Sequence, residues 1–144
     1  MAEITDIDRQ LVDHATEALK YAYSPYSNYR VGAAVQTSEG KIYTGCNVEN
    51  SSYGLTNCAE RTALFKAVSV GEREFDRIAI VVENAGCVGT PCGACRQVIT
   101  EFNPQMEVLM ANTSGMVEKM LAGELLPKSF ACDNLEEEKI QPGV

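Results

Sequence analysis

Three consecutive stretches decide the fold: Ile78-Ala79-Ile80-Val81-Val82, the run that opens Pro91-Cys92-Gly93-Ala94-Cys95 and closes Phe102-Asn103-Pro104, and Val108-Leu109-Met110-Ala111. The first is short, continuous and rich in β-branched residues, the pattern of a strand buried on both faces. In the second, Pro91 at the opening and Asn103-Pro104 at the close bracket a helix, with Val98, Ile99 and Phe102 turned inward. The third reads as another strand. Two strands joined by a helix of this length make a right-handed parallel crossover, so the middle of the chain is a βαβ unit of an α/β layered domain.

Outward from this unit the periodicity changes. A helix is expected from Cys58, where Ala59, Ala63, Leu64, Ala67 and Val68 share one face and Gly71 stands where a C-terminal cap belongs. It would bring Cys58 to the same edge of the sheet as Cys92. Upstream, Val31, Ala33 and Val35 alternate within a strand from Arg30 to Thr37, Ser38-Glu39-Gly40 turns the chain, and Lys41 to Val48 returns as the second strand of a hairpin. From Asp6 to Tyr23, the residues Ile7, Leu11, Ala15, Ala18, Leu19 and Ala22 keep helical spacing until Ser24-Pro25-Tyr26-Ser27-Asn28 breaks it. After the turn at Asn112-Thr113-Ser114-Gly115, Met116 to Leu121 fits neither period cleanly, and strand and helix both stay open.

A chain of 144 residues with 45% hydrophobic content suits one domain, taken as residues 1–132, followed by an acidic tail at 133–144 that is expected to fray in part. The N-terminus has no basic patch and apolar block of a secretory signal, and no apolar run is long enough to span a bilayer, so a cytoplasmic protein without a membrane partner is expected. Six cysteines in that compartment stay reduced and read as metal ligands, nucleophiles or small buried residues. A formal charge of −8 and a pI near 4.6 oppose nucleic-acid binding, which depends on Lys and Arg releasing counterions.

The chemistry is carried by Cys58-Ala59-Glu60 and, with 33 residues between Cys58 and Cys92, Cys92-Gly93-Ala94-Cys95. A Cys-x-x-Cys pair at a helix start suits zinc and thiol redox chemistry equally, because the backbone amides there favour thiolates. Cys58 distinguishes the two. Three protein ligands leave a fourth position open, the pattern of a catalytic zinc, and Glu60 supplies the acid/base that hydrolysis needs. Cys46, Cys87, Cys132 and His14 are the remaining candidates for a fourth ligand, and none stands in a ligand-like pair. On spacing alone, a closed structural zinc site or simple buried cysteines remain open readings.

These residues match the zinc-deaminase signature, and the chain as a whole resembles the homotetrameric cytidine deaminases of pyrimidine salvage. The matching stretches are Tyr26-Ser27-Asn28-Tyr29-Arg30-Val31-Gly32-Ala33-Ala34, Asn47-Val48-Glu49-Asn50, Cys58 to Ala63, Pro91 to Val98, and Leu125-Leu126-Pro127 with Phe130. The resemblance implies a three-layer α/β/α sandwich around a mixed, five-stranded sheet, with Met116 to Leu121 as a strand. It implies one zinc per subunit on Cys58, Cys92 and Cys95, and hydrolysis of cytidine and deoxycytidine to uridine and deoxyuridine with release of ammonia. Glu60 would move the protons, and Arg61 would offset the surplus charge of three thiolates. Asn47 and Glu49 would bind the ribose 3′-hydroxyl, and backbone near Ala59 would read the amide edge of the pyrimidine. Tyr29, in place of the more usual Phe, and Phe130, reaching in from a neighbouring subunit, would flank base and sugar. Arg96 receives no role. A deaminase of a modified nucleoside or aminated heterocycle, an editor of polynucleotides, and a non-enzymatic zinc or redox module are the rival readings.

Overall fold

Alternating and helical patterns emerge as ten elements in a computed structural model that describes residues 2–131. They are α1 (Asp6–Leu19), β1 (Val31–Thr37), β2 (Ile42–Cys46), a 3₁₀ turn (Tyr53–Leu55), α2 (Ala59–Ser69), β3 (Phe75–Val82), α3 (Gly93–Phe102), β4 (Glu107–Asn112), β5 (Val117–Leu121) and the single turn α4 (Ala122–Leu125). The sheet runs β2-β1-β3-β4-β5. Only β3 and β4 are parallel, as the βαβ reading requires, and the other pairings are antiparallel. Met116–Leu121 resolves as a strand, beginning at Val117, that pairs Val108 with Met120. The acidic tail 133–144 and Cys132 lie outside the described residues, and no described helix is long and apolar enough to cross a membrane.

Each sheet face buries its own core. Leu11, Ala15 and Leu19 of α1 pack on Ala34, Ala79, Val81 and Leu109. On the opposite face Ala63, Leu64 and Ala67 of α2 and Cys95 and Ile99 of α3 cover Ala33, Val35, Ile78, Ile80, Val108 and Met110. The alternation along β1, β3 and β4 therefore sends neighbouring residues to opposite cores, giving the three-layer sandwich. Two glycines let the helices close on the sheet. A Cβ at Gly32 would lie 2.1 Å from the Ala15 carbonyl oxygen, and one at Gly45 would lie 2.4 Å from the Ala63 nitrogen.

Two boundaries differ from the periodicity by three residues or more. The first helix stops at Leu19, not Tyr23, because the Leu19 carbonyl accepts from the Arg30 guanidinium (2.9 Å) and from Ala22 N–H (3.1 Å), while Tyr23 turns away to bridge Val48. Strand β3 begins at Phe75, three residues before Ile78, because Phe75 is buried edge-on against Phe102 at 5.3 Å. The inward face of α1 is also shifted: Ile7 is half exposed and its neighbour Asp8 is fully buried.

Asp8 is tolerated there because Oδ2 is hydrogen-bonded and two cations face the carboxylate, although Oδ1 has no hydrogen-bond partner. Thr5 caps the helix in a reciprocal capping box, with Thr5 N–H donating to Asp8 Oδ2 (2.9 Å). Lys119 Nζ on β5 lies 2.7 Å from the same oxygen, and Arg77 Nε on β3 lies 3.5 Å from the other. Both cations also face Glu107 on β4, at 3.4 and 3.5 Å. Two cations, from β3 and β5, themselves paired with Glu107 on β4, thus pin the start of α1 to the sheet.

Candidate metal centre and catalytic cleft

Cys58 and Cys92 each occupy the N-cap of a helix, α2 and α3, that packs on the same sheet face. Asn57 prepares the first: it pairs with Val48 through the backbone and donates its side-chain amide to Thr62 Oγ1 (3.0 Å), while the Thr62 hydroxyl donates to the Cys58 carbonyl (3.1 Å). At the second, Cys95 N–H donates to Cys92 Sγ (3.4 Å). The Sγ atoms of Cys58, Cys92 and Cys95 all lie within 4.8 Å of one another, the only such cluster of metal-ligating side chains among the described residues. Cys46 and Cys87 stand apart as free thiols, and His14 is exposed on α1.

The spacing tests whether a metal fits. Cys58 Sγ and Cys92 Sγ are 3.7 Å apart. A disulfide requires about 2.05 Å, whereas two thiolates on a tetrahedral zinc at ~2.3 Å each stand about 3.8 Å apart. The donor set fits zinc. Charge at the site points the same way. The Cys58 thiol is drawn down to about 5 by a hydrogen bond from Cys95, and then by Arg61 and Cys92, against the opposing effect of burial. Cys95, buried and sharing its proton with Cys58, is pushed up. Arg61 donates from Nη2 to Cys58 Sγ (3.2 Å) and stays charged, while its Nε is buried without a partner.

A cleft of about 240 Å³ opens beside the thiols and is lined by Tyr29, Asn47, Glu49, Ala59 and Glu60, with Cys58 and Cys92 at its floor. Glu60 is 4% exposed. Burial pushes its carboxyl up to about 7 and the Cys58 charge adds to this, so the group can both take and give a proton near neutrality. Burial likewise raises the Tyr29 phenol, with negative charge at Cys87 and Glu60 adding to it. Ala59 is fully buried at the first position of α2.

Asn47 and Glu49 leave β2 on the far wall. Asn47 Oδ1 accepts from Val31 N–H (3.0 Å) and its amide donates to the Tyr29 carbonyl (2.7 Å). Glu49 Oε1 accepts from the backbone N–H groups of Tyr26 (2.9 Å) and Ser27 (3.1 Å), and Oε2 from the Ser27 hydroxyl. These bonds, that of the Ser27 hydroxyl above all, hold the Glu49 carboxyl below its usual range despite burial. Phe130 alone of the residues expected to bind substrate is absent from the cleft lining of its own chain: it is 69% exposed, and its carbonyl accepts from the Gln97 amide (3.0 Å).

Two positions that brace the site escaped the sequence reading. Ser27 lies within a stretch that carries the resemblance, but its partner is 22 residues away and no local pattern marks it. Arg96 bonds the Pro91 carbonyl through Nε (2.8 Å) and the Leu125 carbonyl through Nη1 (2.9 Å), tying the loop before Cys92 to the segment that leads to Phe130. Its place directly after Cys95 was the available signal.

Known proteins resemble this chain in sequence and fold. Residues 5–111 match the family described as the cytidine and deoxycytidylate deaminase zinc-binding region. A cytidine deaminase of Sporosarcina psychrophila is 49% identical over 90% of this chain and 95% of its own. One of Halalkalibacterium halodurans is 46% identical over 91% of this chain and 100% of its own. The crystal structure of cytidine deaminase from Burkholderia pseudomallei superposes with a TM-score of 0.82 at 53% identity, covering 85% of this chain and 98% of that one.

Proposed function

The chain belongs to the cytidine and deoxycytidylate deaminase family of zinc-binding proteins, and on that premise we propose that it hydrolyses cytidine and deoxycytidine to uridine and deoxyuridine with release of ammonia. The observation that carries this is the meeting of three thiols at zinc spacing with a buried glutamate in one small cleft. Residues 1–132 form the catalytic domain in this reading. Cys58, Cys92 and Cys95 hold one zinc, which when bound supplies Lewis acidity that makes water a better nucleophile.

The residues of the chain do the rest. Glu60 takes a proton from the attacking water and delivers it to N3 of the cytosine ring, which makes C4 electrophilic. The water oxygen bonds to C4, and Glu60 passes the second proton to the exocyclic nitrogen. The C4–N bond breaks and ammonia leaves, so one water is consumed for each nucleoside. Backbone at Ala59 orients the pyrimidine edge and Tyr29 flanks the ring. Asn47 and Glu49 bind the 3′-hydroxyl, favouring nucleosides over free bases because a buried polar pair without its partner is unfavourable.

Arg61 offsets the charge that three thiolates place around the metal. Arg61→Gln is expected to lower zinc affinity or turnover about tenfold to a hundredfold, read by metal titration and by kcat; full zinc content with full turnover removes this role. The fold and net charge of −8 support a free nucleoside as substrate in preference to a polynucleotide. Exposed Phe130, Tyr53 and Leu55 support assembly into a homotetramer in which Phe130 completes a neighbouring subunit's cleft. Reduced thiols at the metal suit a cytoplasmic enzyme.

The test is the ultraviolet change on converting cytidine to uridine, measured with metal analysis. Purified protein is expected to carry one zinc per chain, lose turnover on chelation and regain it with stoichiometric zinc. Zinc-loaded protein that leaves cytidine unchanged overturns the function.

A further inference from the structure

Glu49 is held by the turn at residues 24–28, and the way it is held is uneven. Both backbone donors, Tyr26 N–H and Ser27 N–H, go to Oε1; Oε2 receives only the Ser27 hydroxyl. The terminal torsion of a glutamate is broad, so bonds to one oxygen alone leave the carboxylate plane free to swing. The Ser27 hydroxyl is the group that fixes the second oxygen.

Ser27 is itself set up for this. Its Oγ accepts from Tyr29 N–H (3.0 Å), which leaves its single hydrogen for Glu49. That acceptance depends on Asn28, whose φ of 58° lies in the left-handed region and folds Tyr29 back over Ser27. Both Ser27 and Glu49 line the cleft, and both also line a second cavity of about 360 Å³ with Tyr26, Tyr53 and Thr56. Glu49 therefore stands as a partition between two open spaces, where an unrestrained carboxylate has room to turn away.

We propose that Ser27 is a positioning residue whose hydroxyl fixes the plane of the Glu49 carboxylate so that Oε2 keeps an acceptor site for the sugar 3′-hydroxyl. This rests on the reading that Glu49 binds that hydroxyl. Asn47 complements it: with Oδ1 on Val31 N–H and one amide hydrogen on the Tyr29 carbonyl, its other amide hydrogen remains to donate. The pair thus selects a group that donates to Glu49 and accepts from Asn47.

The experiment compares deoxycytidine with 2′,3′-dideoxycytidine, which lacks the 3′-hydroxyl. Ser27→Ala is expected to lower kcat/KM about tenfold on deoxycytidine and by less than about twofold on the dideoxynucleoside, with Tm lowered by only about 5 °C. Ser27→Thr, which keeps the hydroxyl, is expected to restore discrimination. Equal loss on both substrates, loss on neither, or no rescue by threonine overturns the proposal. A wild-type enzyme that does not distinguish the two nucleosides overturns the reading of Glu49, and this proposal with it, before any variant is compared.

Discussion

Glu60→Gln is expected to lower kcat on cytidine by about 10²–10⁴-fold, the usual contribution of a general acid/base, while the protein keeps its zinc and its fold. Glutamine has the shape of glutamate and still hydrogen-bonds, but it carries no proton between water, N3 and the amino group. Zinc is retained because the three thiols hold it without Glu60. The fold is retained because replacing a buried carboxyl, raised to about 7 by its surroundings, with a neutral amide removes an unfavourable burial. Stopped-time ultraviolet assays, zinc content and Tm of both proteins make the comparison. Turnover within about tenfold of wild type is too small a loss for the principal proton carrier and sinks that assignment.

Gly32→Ala has the largest expected effect on stability. The added Cβ would sit 2.1 Å from the Ala15 carbonyl oxygen and 2.8 Å from Leu19 N, both backbone atoms that no rotamer change moves aside. Helix α1 must lift from β1 along the core of Leu11, Ala15 and Leu19, at about 3 kcal/mol by the general scale for overpacking. For a domain of this size that lowers Tm by about 10 °C. Gly93→Ala is the control, since a Cβ there meets nothing within 4 Å. Equal melting temperatures for the two variants would mean that α1 and β1 are not in register as described.

The parts of the fold that were legible in the sequence are those fixed by near neighbours. Apolar spacing and a terminal glycine mark α2, where Gly71 has a φ of 101°, and the bracketing prolines mark α3. The cysteine spacing and adjacent Glu60 likewise located the metal cluster. What was not legible depended on distant partners. Ala22 keeps helical spacing but leaves the helix because Arg30, eleven residues after Leu19, takes the Leu19 carbonyl. Met116–Leu121 defeated the periodicity because Lys119 turns into the sheet to meet Asp8. Arg96 reads as a surface charge until Leu125, 29 residues on, is brought beside it. Phe130 had meaning only through the resemblance, since nothing near it in sequence directs it to a cleft.

Asp8 is translated 111 residues ahead of Lys119, its nearest counter-charge. While β5 is still inside the ribosome, a docked α1 would bury a carboxylate with only Thr5 and Arg77 to answer it. Closure of α1 on the sheet is therefore expected to wait until Lys119 has emerged, because a buried charge without its partner is strongly destabilising. Until then the apolar face of Ala34, Ala79, Val81 and Leu109, which α1 covers in the folded protein, is expected to stay open to water.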